Sequence, residues 1–373
     1  MRDTMAIVYT GDSNVSLQEL TLFRSVAALP FGGRYRIIDF ILSNLVNSDI
    51  HQVGIITQNN YQSLMDHLDS GKQWDLDRKH SGLFILPPYV SHDNKGWYSG
   101  EVDAFHSNMS FLRRSNQKYV VISGSSMVCN LTYDSAMEFH KENNADITVI
   151  YKEEKKATRE ELSRHTLLRT DENNRIYDME VKPSDPMSDK VSMEMYIMDT
   201  QLFQYLIDEC VARGQHNFIK DILIKKMDKL KILGFPYDGY LAKIDSIDSY
   251  FHQNLGLINP ANFFDLFHRS GLVYTKVKDE VPAKYGVNAK VENSLVADGC
   301  IINGQVDNCI LFRGVKIAEG AVVKNSIVMQ DTEIQEKVML ENAILDKEVI
   351  IRKGKHLIGQ DSYPVVIRKR SII

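Results

Sequence analysis

The chain has 373 residues, of which 43% are hydrophobic and 25% are charged, a composition that allows two globular domains with ordinary cores. Its formal net charge of -5 excludes the broad basic surface of a nucleic-acid-binding protein. Four scattered cysteines without a C-x-x-C pair argue against a zinc site and a disulfide scaffold. No apolar run approaches the roughly 20 residues that span a bilayer, and the first residues include too few apolar ones for a signal peptide. We therefore expect a cytoplasmic protein with neither nucleic-acid nor membrane partners.

From residue 5 to about residue 260, short apolar runs alternate with helical stretches. Buried strands are predicted at Ala6–Tyr9, Val53–Thr57, Tyr119–Ser123 and Ile147–Lys152, and helices at Ile37–Asn47, Tyr61–Leu68 and Ser135–Glu142. Alternation of this kind predicts an α/β domain with a mostly parallel sheet and a ligand at the carboxyl ends of its strands. The first strand runs directly into a turn that contains Gly11 and Asp12, which is how many α/β proteins begin a nucleotide site.

The pattern changes near residue 260, and from residue 291 the sequence repeats. VENSLV, VDNCIL, VKNSIV and LENAIL begin at residues 291, 306, 323 and 340, at offsets of 15, 17 and 17 residues. Short apolar strands at such a period, without helices, predict a parallel β-helix rather than a β-sandwich, which does not repeat its sequence. We expect the asparagines of the repeat to form a buried ladder: Asn293, Asn308, Asn325 and Asn342. The predicted organisation is an α/β domain over 1–260, a linker over 261–285 and a β-helix over 286–373.

Motifs along nearly the whole chain resemble those of the glucose-1-phosphate adenylyltransferase (ADP-glucose pyrophosphorylase) family. They include PFGGRYRIIDF (30–40), LPPYV (86–90), WYSGEVDAF (97–105), HNFIKDIL (216–223) and GYLAKIDS (239–246). The resemblance implies a Rossmann-like nucleotidyltransferase (GT-A-like) domain followed by a C-terminal left-handed parallel β-helix. It also implies the family's reaction, in which ATP and glucose 1-phosphate give ADP-glucose and diphosphate with the help of Mg²⁺.

The residues that carry the family's chemistry are nevertheless replaced. Aligned with the family motifs, the replaced positions are Ser16 (phosphate-binding arginine), Val26 (lysine of the nucleotide loop), Ser125 (magnesium aspartate), Asn217 (sugar-site aspartate) and Lys243 (second magnesium carboxylate). A hydroxyl group is a poor ligand for a hard divalent cation, and phosphoryl-type transfer depends on charge neutralisation. We therefore expect no catalytic residues and no metal in this chain, with Mg²⁺ only in a catalytic partner. Asp245 is the nearest candidate partner in the sequence for the Lys243 ammonium.

Other functional positions survive in this comparison. The resemblance implies a residual sugar-phosphate pocket of four residues: Lys182, Ser192, Tyr196 and Phe218. The alternative is that Lys182 and Tyr196 are inherited packing and surface residues. Arg24, Arg34 and Arg36 are candidates for an anionic effector such as a sugar phosphate, and the alternative for them is ordinary salt bridging.

This set of losses resembles the non-catalytic GlgD-type subunit of the family. The resemblance implies a regulatory partner of a catalytic subunit, in a heterotetramer that serves bacterial glycogen synthesis. One alternative is an active nucleotidyltransferase with a substitute metal ligand, Asp39 or Asp103. Another is a free-standing sugar-phosphate sensor. A β-helix acyltransferase is disfavoured because the repeats contain only His356, in the final coil.

Overall fold

The computed structural model describes residues 1–11, 17–88 and 98–373. Within these ranges the α-helices are α1 (Ile37–Asn47), α2 (Gln62–Leu68), α3 (Glu101–Ser107), α4 (Met109–Arg113), α5 (Asp134–Glu142), α6 (Arg159–Leu162), α7 (Thr200–Ala212), α8 (Ile247–Leu255) and α9 (Pro260–His268). Single 3₁₀ turns lie at Gln18–Thr21, Val26–Ala28, Lys72–Trp74 and Gly256–Ile258, and a π-helix at Ile219–Ile224. None of these helices is both long and apolar enough to cross a membrane.

Most strands of the α/β part form one mixed sheet of nine strands. The strands of this part are β1 (Thr4–Tyr9), β2 (Pro30–Phe31), β3 (Tyr35–Arg36), β4 (Gln52–Ile56), β5 (Gly82–Leu86), β6 (Tyr119–Ser123), β7 (Met127–Cys129), β8 (Ile147–Glu153), β9 (Thr166–Thr170), β10 (Ile176–Val181), β11 (Lys190–Asp199), β12 (Ile232–Pro236) and β13 (Leu241–Lys243). The main path runs β10-β9-β11-β6-β1-β4-β5, with β8 beside β11 and β12 beside β8. Two short pairs, β2–β3 and β7–β13, stand apart from it.

The parallel part of this sheet lies around β1, as the alternation of strands and helices predicts. β1 pairs in parallel with β4 and β6, and β5 continues beside β4. β11, in contrast, runs antiparallel to β6, β8 and β9, and β9 and β10 form a hairpin. The connections over 171–175 and 182–189 are too short for the crossover of a dozen or more residues that parallel strands need. The complete sheet is therefore mixed rather than mostly parallel.

Alternation along β1 places its residues in two cores on opposite faces of the sheet. Ala6 and Val8 belong to one buried cluster, while Met5, Ile7 and Tyr9 belong to the other. The first cluster also contains much of α1, whose bounds coincide with the predicted helix. Because both faces are covered, ligands have access at the strand ends rather than at the faces.

The C-terminal region is a parallel β-helix. Its strands are β14 (Lys284–Tyr285), β15 (Lys290–Glu292), β16 (Leu295–Val296), β17 (Ile301–Ile302), β18 (Gln305–Asp307), β19 (Ile310–Leu311), β20 (Lys316–Ile317), β21 (Val322–Val328), β22 (Glu333–Ile334), β23 (Met339–Leu345), β24 (Ile350–Ile351), β25 (His356–Ile358) and β26 (Val365–Ile367). The first residues of the four repeats stack in register: Val291, Val306, Val323 and Leu340. One sequence repeat is therefore one coil.

The repeat asparagines do not form the buried ladder that the sequence predicts. They occupy left-handed corners, with φ of +42° at Asn293, +53° at Asn308, +42° at Asn325 and +48° at Asn342. Asn293 is exposed and the other three are half-buried. The Nδ2 of Asn308 donates to the Oδ1 of Asn325 at 2.8 Å, and the Nδ2 of Asn342 donates to the Gly359 carbonyl at 3.1 Å. Asparagine is used here because it tolerates a left-handed corner.

The two regions share one hydrophobic cluster. Ile310, Ile327 and Ile344, one from each of three coils, belong to the same buried cluster as α1. The segment predicted as a linker begins with a helix, α9, because Asn259 caps it and Pro260 fits the first helical position. Leu266 and Phe267 of α9 are buried in that same cluster.

Candidate functional site

The carboxyl end of β1 leads into the turn that the sequence predicts to be a remnant of a nucleotide loop. The Tyr9 hydroxyl donates to the Gly11 carbonyl at 3.1 Å, and a Cβ on Gly11 would lie 2.6 Å from that hydroxyl oxygen. A larger residue at position 11 would therefore require the Tyr9 side chain to move. Asp12 and Ser16 lie outside the described residues. Val26, at the position of the family's lysine, is buried in the hydrophobic cluster that contains α1, so no cation extends from there.

The structure brings together the two residues predicted to replace magnesium ligands. Ser125 is buried in the turn between β6 and β7, and Lys243 ends β13. β13 runs antiparallel to β7 with Lys243 opposite Met127, and the Ile244 N–H donates to the Ser126 carbonyl at 2.8 Å. The backbone thus fixes Lys243 beside the turn that holds Ser125.

Lys243 pairs with Glu194, a residue of β11 that sequence reasoning did not single out. Its Nζ lies 3.4 Å from the Glu194 Oε1, and the side chains are 13% and 26% exposed. The predicted neighbour, Asp245, instead approaches His165, with 3.8 Å between Oδ2 and Nδ1. Burial, followed by the charge of Lys243, lowers the pKa of His165 to about 4, so this imidazole is neutral at physiological pH.

The residues at this edge do not fit the magnesium ion that the resemblance implies. Ser125 offers a hydroxyl group, Lys243 offers an ammonium group, and the nearby carboxylate of Glu194 is already paired with that ammonium. Hard divalent cations require several oxygen ligands, usually with carboxylates among them. Within 1–11, 17–88 and 98–373, no group of three or more His, Cys, Asp or Glu side chains could hold a metal ion.

Both candidate substitute ligands are occupied with other contacts. Asp39 is fully buried; its Oδ1 lies 2.6 Å from the His67 Nε2, and its Oδ2 accepts from the Arg36 N–H at 3.0 Å. The Asp103 Oδ2 accepts from the Ser99 N–H at 2.9 Å, at the start of α3. Each carboxylate therefore serves the start of a helix.

Of the four residues predicted for the sugar-phosphate pocket, two are buried in an apolar cluster. The rings of Tyr196 and Phe218 lie 5.1 Å apart, and both belong to the cluster on the second face of the sheet. Burial raises the pKa of Tyr196 well above its ordinary value. Ser192 is also buried, whereas Lys182 is exposed and adopts a left-handed conformation with φ of +49°. These placements favour the packing alternative for Tyr196 and Phe218.

Asn217 is exposed and lies two residues before the π-helix. Its Oδ1 accepts from the Lys220 N–H at 2.7 Å, as a capping side chain does. This side chain thus has a local structural use, which an aspartate could serve equally well.

A cavity of about 480 Å³ lies beside the ion pair. Lys243, Leu241 and Val191 line it on one side, and Asp248 and His252 of α8 on another. Its wall mixes acidic and basic groups, so it presents no uniform charge to a phosphate.

The three arginines predicted to bind an effector lie in different environments. Arg24 is 3% exposed, and its Nη2 lies 2.7 Å from the Oδ2 of the buried Asp346 in the β-helix. Arg36 donates from Nη1 to the Ser63 carbonyl at 2.6 Å, and burial lowers its pKa to about 10. Arg34 is exposed. Arg24 is therefore used as a structural link, while the other two remain candidates.

Lys347 joins this cluster and was missed by the sequence reasoning. Burial, then the charges of Arg36 and Arg24, lowers the pKa of Lys347 to about 6. The repeats could have indicated Lys347, because residues 298, 313, 330 and 347 occupy the same position of successive coils, seven residues after the start of each repeat. Two of them, Asp298 and Arg313, already form an ion pair at 3.2 Å. No comparable signal marks Glu194, whose partner comes from a distant strand.

Comparisons with known proteins agree with this architecture. A family model described as nucleotidyl transferase matches residues 5–255, and one described as GlmU-like C-terminal hexapeptide matches residues 280–364. The chain is 39% identical over 355 residues to the glycogen biosynthesis protein GlgD of Bacillus subtilis (strain 168), covering 95% of this chain and 92% of that protein. It is 36% identical over 365 residues to a glucose-1-phosphate adenylyltransferase of Acetivibrio thermocellus, covering 96% and 85%. A glucose-1-phosphate adenylyltransferase of Clostridium perfringens (strain SM101 / Type A) is 33% identical over 376 residues, covering 100% and 96%. The predicted nucleotidyltransferase α/β domain followed by a parallel β-helix is confirmed, with a mixed sheet in place of a mostly parallel one.

Proposed function

Because the chain belongs to the glucose-1-phosphate adenylyltransferase (ADP-glucose pyrophosphorylase) family, we propose that it is the regulatory, catalytically impaired subunit of such an enzyme. It acts in the cytoplasm, beside a catalytic homologue, in bacterial glycogen biosynthesis. Its own part is to modulate the catalytic subunit rather than to form ADP-glucose.

The observation that carries this proposal is that the backbone around Ser125 and Lys243 is regular, while the side chains it presents do not suit the family's reaction. The strands and turns that hold Ser125 and Lys243 are regular and tightly hydrogen-bonded. The side chains they present cannot gather a divalent cation or neutralise a triphosphate. Removing a single preorganised donor from an active site typically costs about 3–4 kcal/mol at the transition state. Several such losses in one site exceed what the remaining residues supply, even if the losses are not additive.

A partner chain is supported by the first coil of the β-helix. Among the described strands, β14, β15 and β16 each pair on one side only, with β17, β18 and β19. The nearby Val281 and Val287 are exposed. Open strand edges beside exposed apolar residues need to be covered. The proposed cover is a homologous catalytic subunit, in a heterotetramer.

We place the effector at the seam between the α/β part and the β-helix. Lys347 follows Asp346, the partner of Arg24, and the charges of Arg36 and Arg24 both act on its ammonium group. An anionic effector such as a sugar phosphate would oppose the burial and the repulsion that together lower the pKa of Lys347. Binding should therefore take up a proton and strengthen as the pH falls from 7 toward 6.

The decisive experiment measures adenylyl transfer from ATP to glucose 1-phosphate. The chain is assayed alone, the catalytic homologue is assayed alone, and the two are then mixed. We expect no turnover by this chain alone and a raised rate or a changed effector response in the mixture. Mg²⁺-dependent turnover by the chain alone would contradict the proposal and favour the active nucleotidyltransferase. A mixture equal to the sum of its parts would favour the free-standing sensor.

The effector site is tested separately by calorimetry with a panel of sugar mono- and bisphosphates. Lys347→Gln should weaken binding about tenfold and abolish proton uptake. The reason is that the nearby arginines disfavour the charged form of Lys347, and a bound anion would favour it. Lys324→Gln, which removes an exposed lysine on another face of the β-helix, is the control and should bind normally. Equal affinities for the two variants would exclude this seam as the effector site.

A further inference from the structure

Glu194 has an unusual backbone for its place in a long strand. The pairing of β11 with β8 shifts its register between Ser192 and Met195, and Glu194 between them has φ of +55°. Long side chains rarely adopt this conformation, and such outliers concentrate at functional sites. The Glu194 carbonyl accepts from the Gly124 N–H at 3.1 Å, and its N–H donates to the Ser192 Oγ at 3.2 Å. The bulge is thus held in position from both sides.

The bulge directs the Glu194 carboxylate against the turn that holds Ser125. A Cβ on Gly124 would lie 3.0 Å from the Glu194 Oε2. The other carboxylate oxygen faces the Lys243 ammonium at 3.4 Å. The pair is mostly shielded from water, so its attraction is screened less than that of a surface pair. A carboxylate and its counter-charge therefore stand together at the edge where the family's cation would be expected.

We propose that the Lys243 ammonium, held by Glu194, takes the place of a divalent cation at this edge, and that Glu194 is a cation ligand silenced by that lysine. This inference rests on the proposed function and deepens it, because it names the contact that keeps the chain from binding a metal. A divalent cation entering here would meet a positive charge and an already neutralised carboxylate. The Lys243–Glu194 pair therefore excludes the metal, in addition to the loss of metal ligands.

The inference predicts what a reversed charge should do. In Lys243→Glu, two carboxylates would face each other across a few ångströms, and like charges so close remain ionised together only with a cation between them. Lys243→Gln has nearly the same shape as Lys243→Glu but no charge, so it removes the ammonium without adding a carboxylate. The two variants differ only in the property under test.

The experiment titrates Mn²⁺ into the full chain alone and follows free Mn²⁺ by electron paramagnetic resonance. Wild type should show no saturable binding up to about 1 mM, the weak end for oxygen-ligand sites. Lys243→Gln, which frees the Glu194 carboxylate but adds no second one, should bind only weakly. Lys243→Glu should bind one equivalent and should melt at a higher temperature with Mn²⁺ than without it. Adding Glu194→Gln to Lys243→Glu should weaken the binding at least tenfold.

Several results would overturn the inference. They are wild type binding Mn²⁺ as tightly as Lys243→Glu, Lys243→Glu binding no better than Lys243→Gln, and Glu194→Gln leaving the acquired affinity unchanged. If Lys243→Glu does not fold, a double-mutant cycle of Lys243→Gln and Glu194→Gln in urea replaces it. Additive effects in that cycle would equally overturn the pairing. Because no partner subunit or turnover is involved, these results are independent of the mixing assay that judges the regulatory role.

Discussion

At the scale of single residues, His140 shows how burial sets a pH dependence. It lies in α5 with its Nδ1 2.9 Å from the Thr148 Oγ1, and burial lowers its pKa to about 4. The same imidazole titrates near 6.5 in an unfolded chain, so the unfolded state binds more protons between pH 6.5 and pH 4. The folded state therefore loses stability as the pH falls through this range. For this residue we expect the loss in free energy of unfolding between pH 7 and pH 5 to be about 2 kcal/mol.

The measurement is urea unfolding of the wild type and of His140→Gln at both pH values. Glutamine does not titrate and can still hydrogen-bond to Thr148, so the variant should lose about 2 kcal/mol less than the wild type on acidification. The difference between the proteins isolates this residue from other buried histidines. Identical losses in both proteins would show that His140 does not carry the effect.

The sequence predicts which residues differ from the family's motifs more readily than it predicts which contacts those residues make in the folded chain. Val26 and Lys243 could be recognised as replacements because motifs fix their positions along the chain. The partner of Lys243 could not, because Glu194 approaches from β11, and proximity in sequence pointed to Asp245 instead. Tyr196 and Phe218 likewise match a pocket in sequence but pack against each other, since an aromatic ring serves a core and a ligand equally well.

At the scale of elements, the coils of the β-helix depend on their left-handed corners. The left-handed conformation costs roughly 1–2 kcal/mol for most residues, but much less for glycine and asparagine. Asn325 also accepts the hydrogen bond from Asn308, which is worth about 1 kcal/mol. We expect Asn325→Ala to lower the free energy of unfolding by about 2 kcal/mol. Asn325→Gly, which loses only the hydrogen bond, should lower it by about half as much.

Chemical denaturation of the three proteins tests this expectation. The informative quantity is the difference between the alanine and glycine variants, because both lack the side-chain hydrogen bond and only alanine carries a Cβ. If the alanine variant were as stable as the glycine variant, the left-handed conformation at residue 325 would cost alanine no free energy.

Elements were predictable where one local signal determines them. The strands around β1, helix α1 and the coil register all follow from apolar periodicity and from the repeat. The antiparallel entry of β11 was not predictable from that periodicity, because a buried strand reads the same in either direction. Helix α9 was not predicted, because Asn259 and Pro260 fit the end of one helix as well as the start of the next.

At the scale of the whole molecule, the seam between the two regions is both apolar and charged. Arg24 and Asp346 form a buried ion pair across it, and the Lys347 N–H also donates to the Asp346 Oδ1 at 2.7 Å. The surrounding side chains belong to one hydrophobic cluster that extends over both regions. Since neither region completes this cluster alone, the chain should unfold in a single cooperative transition.

Breaking that pair from one side should be costly, because it leaves a buried carboxylate without a counter-charge. We expect Arg24→Met to lower the free energy of unfolding by about 3–5 kcal/mol. Arg159→Met breaks an exposed pair with Asp185 at 3.0 Å and should cost less than about 1 kcal/mol. Adding Asp346→Asn to Arg24→Met removes the stranded charge, keeps an acceptor for Lys347, and should restore most of the loss. Urea unfolding of these variants decides the matter: if Arg24→Met costs no more than Arg159→Met, the ion pair does not hold the seam, and the shared apolar cluster alone joins the two regions.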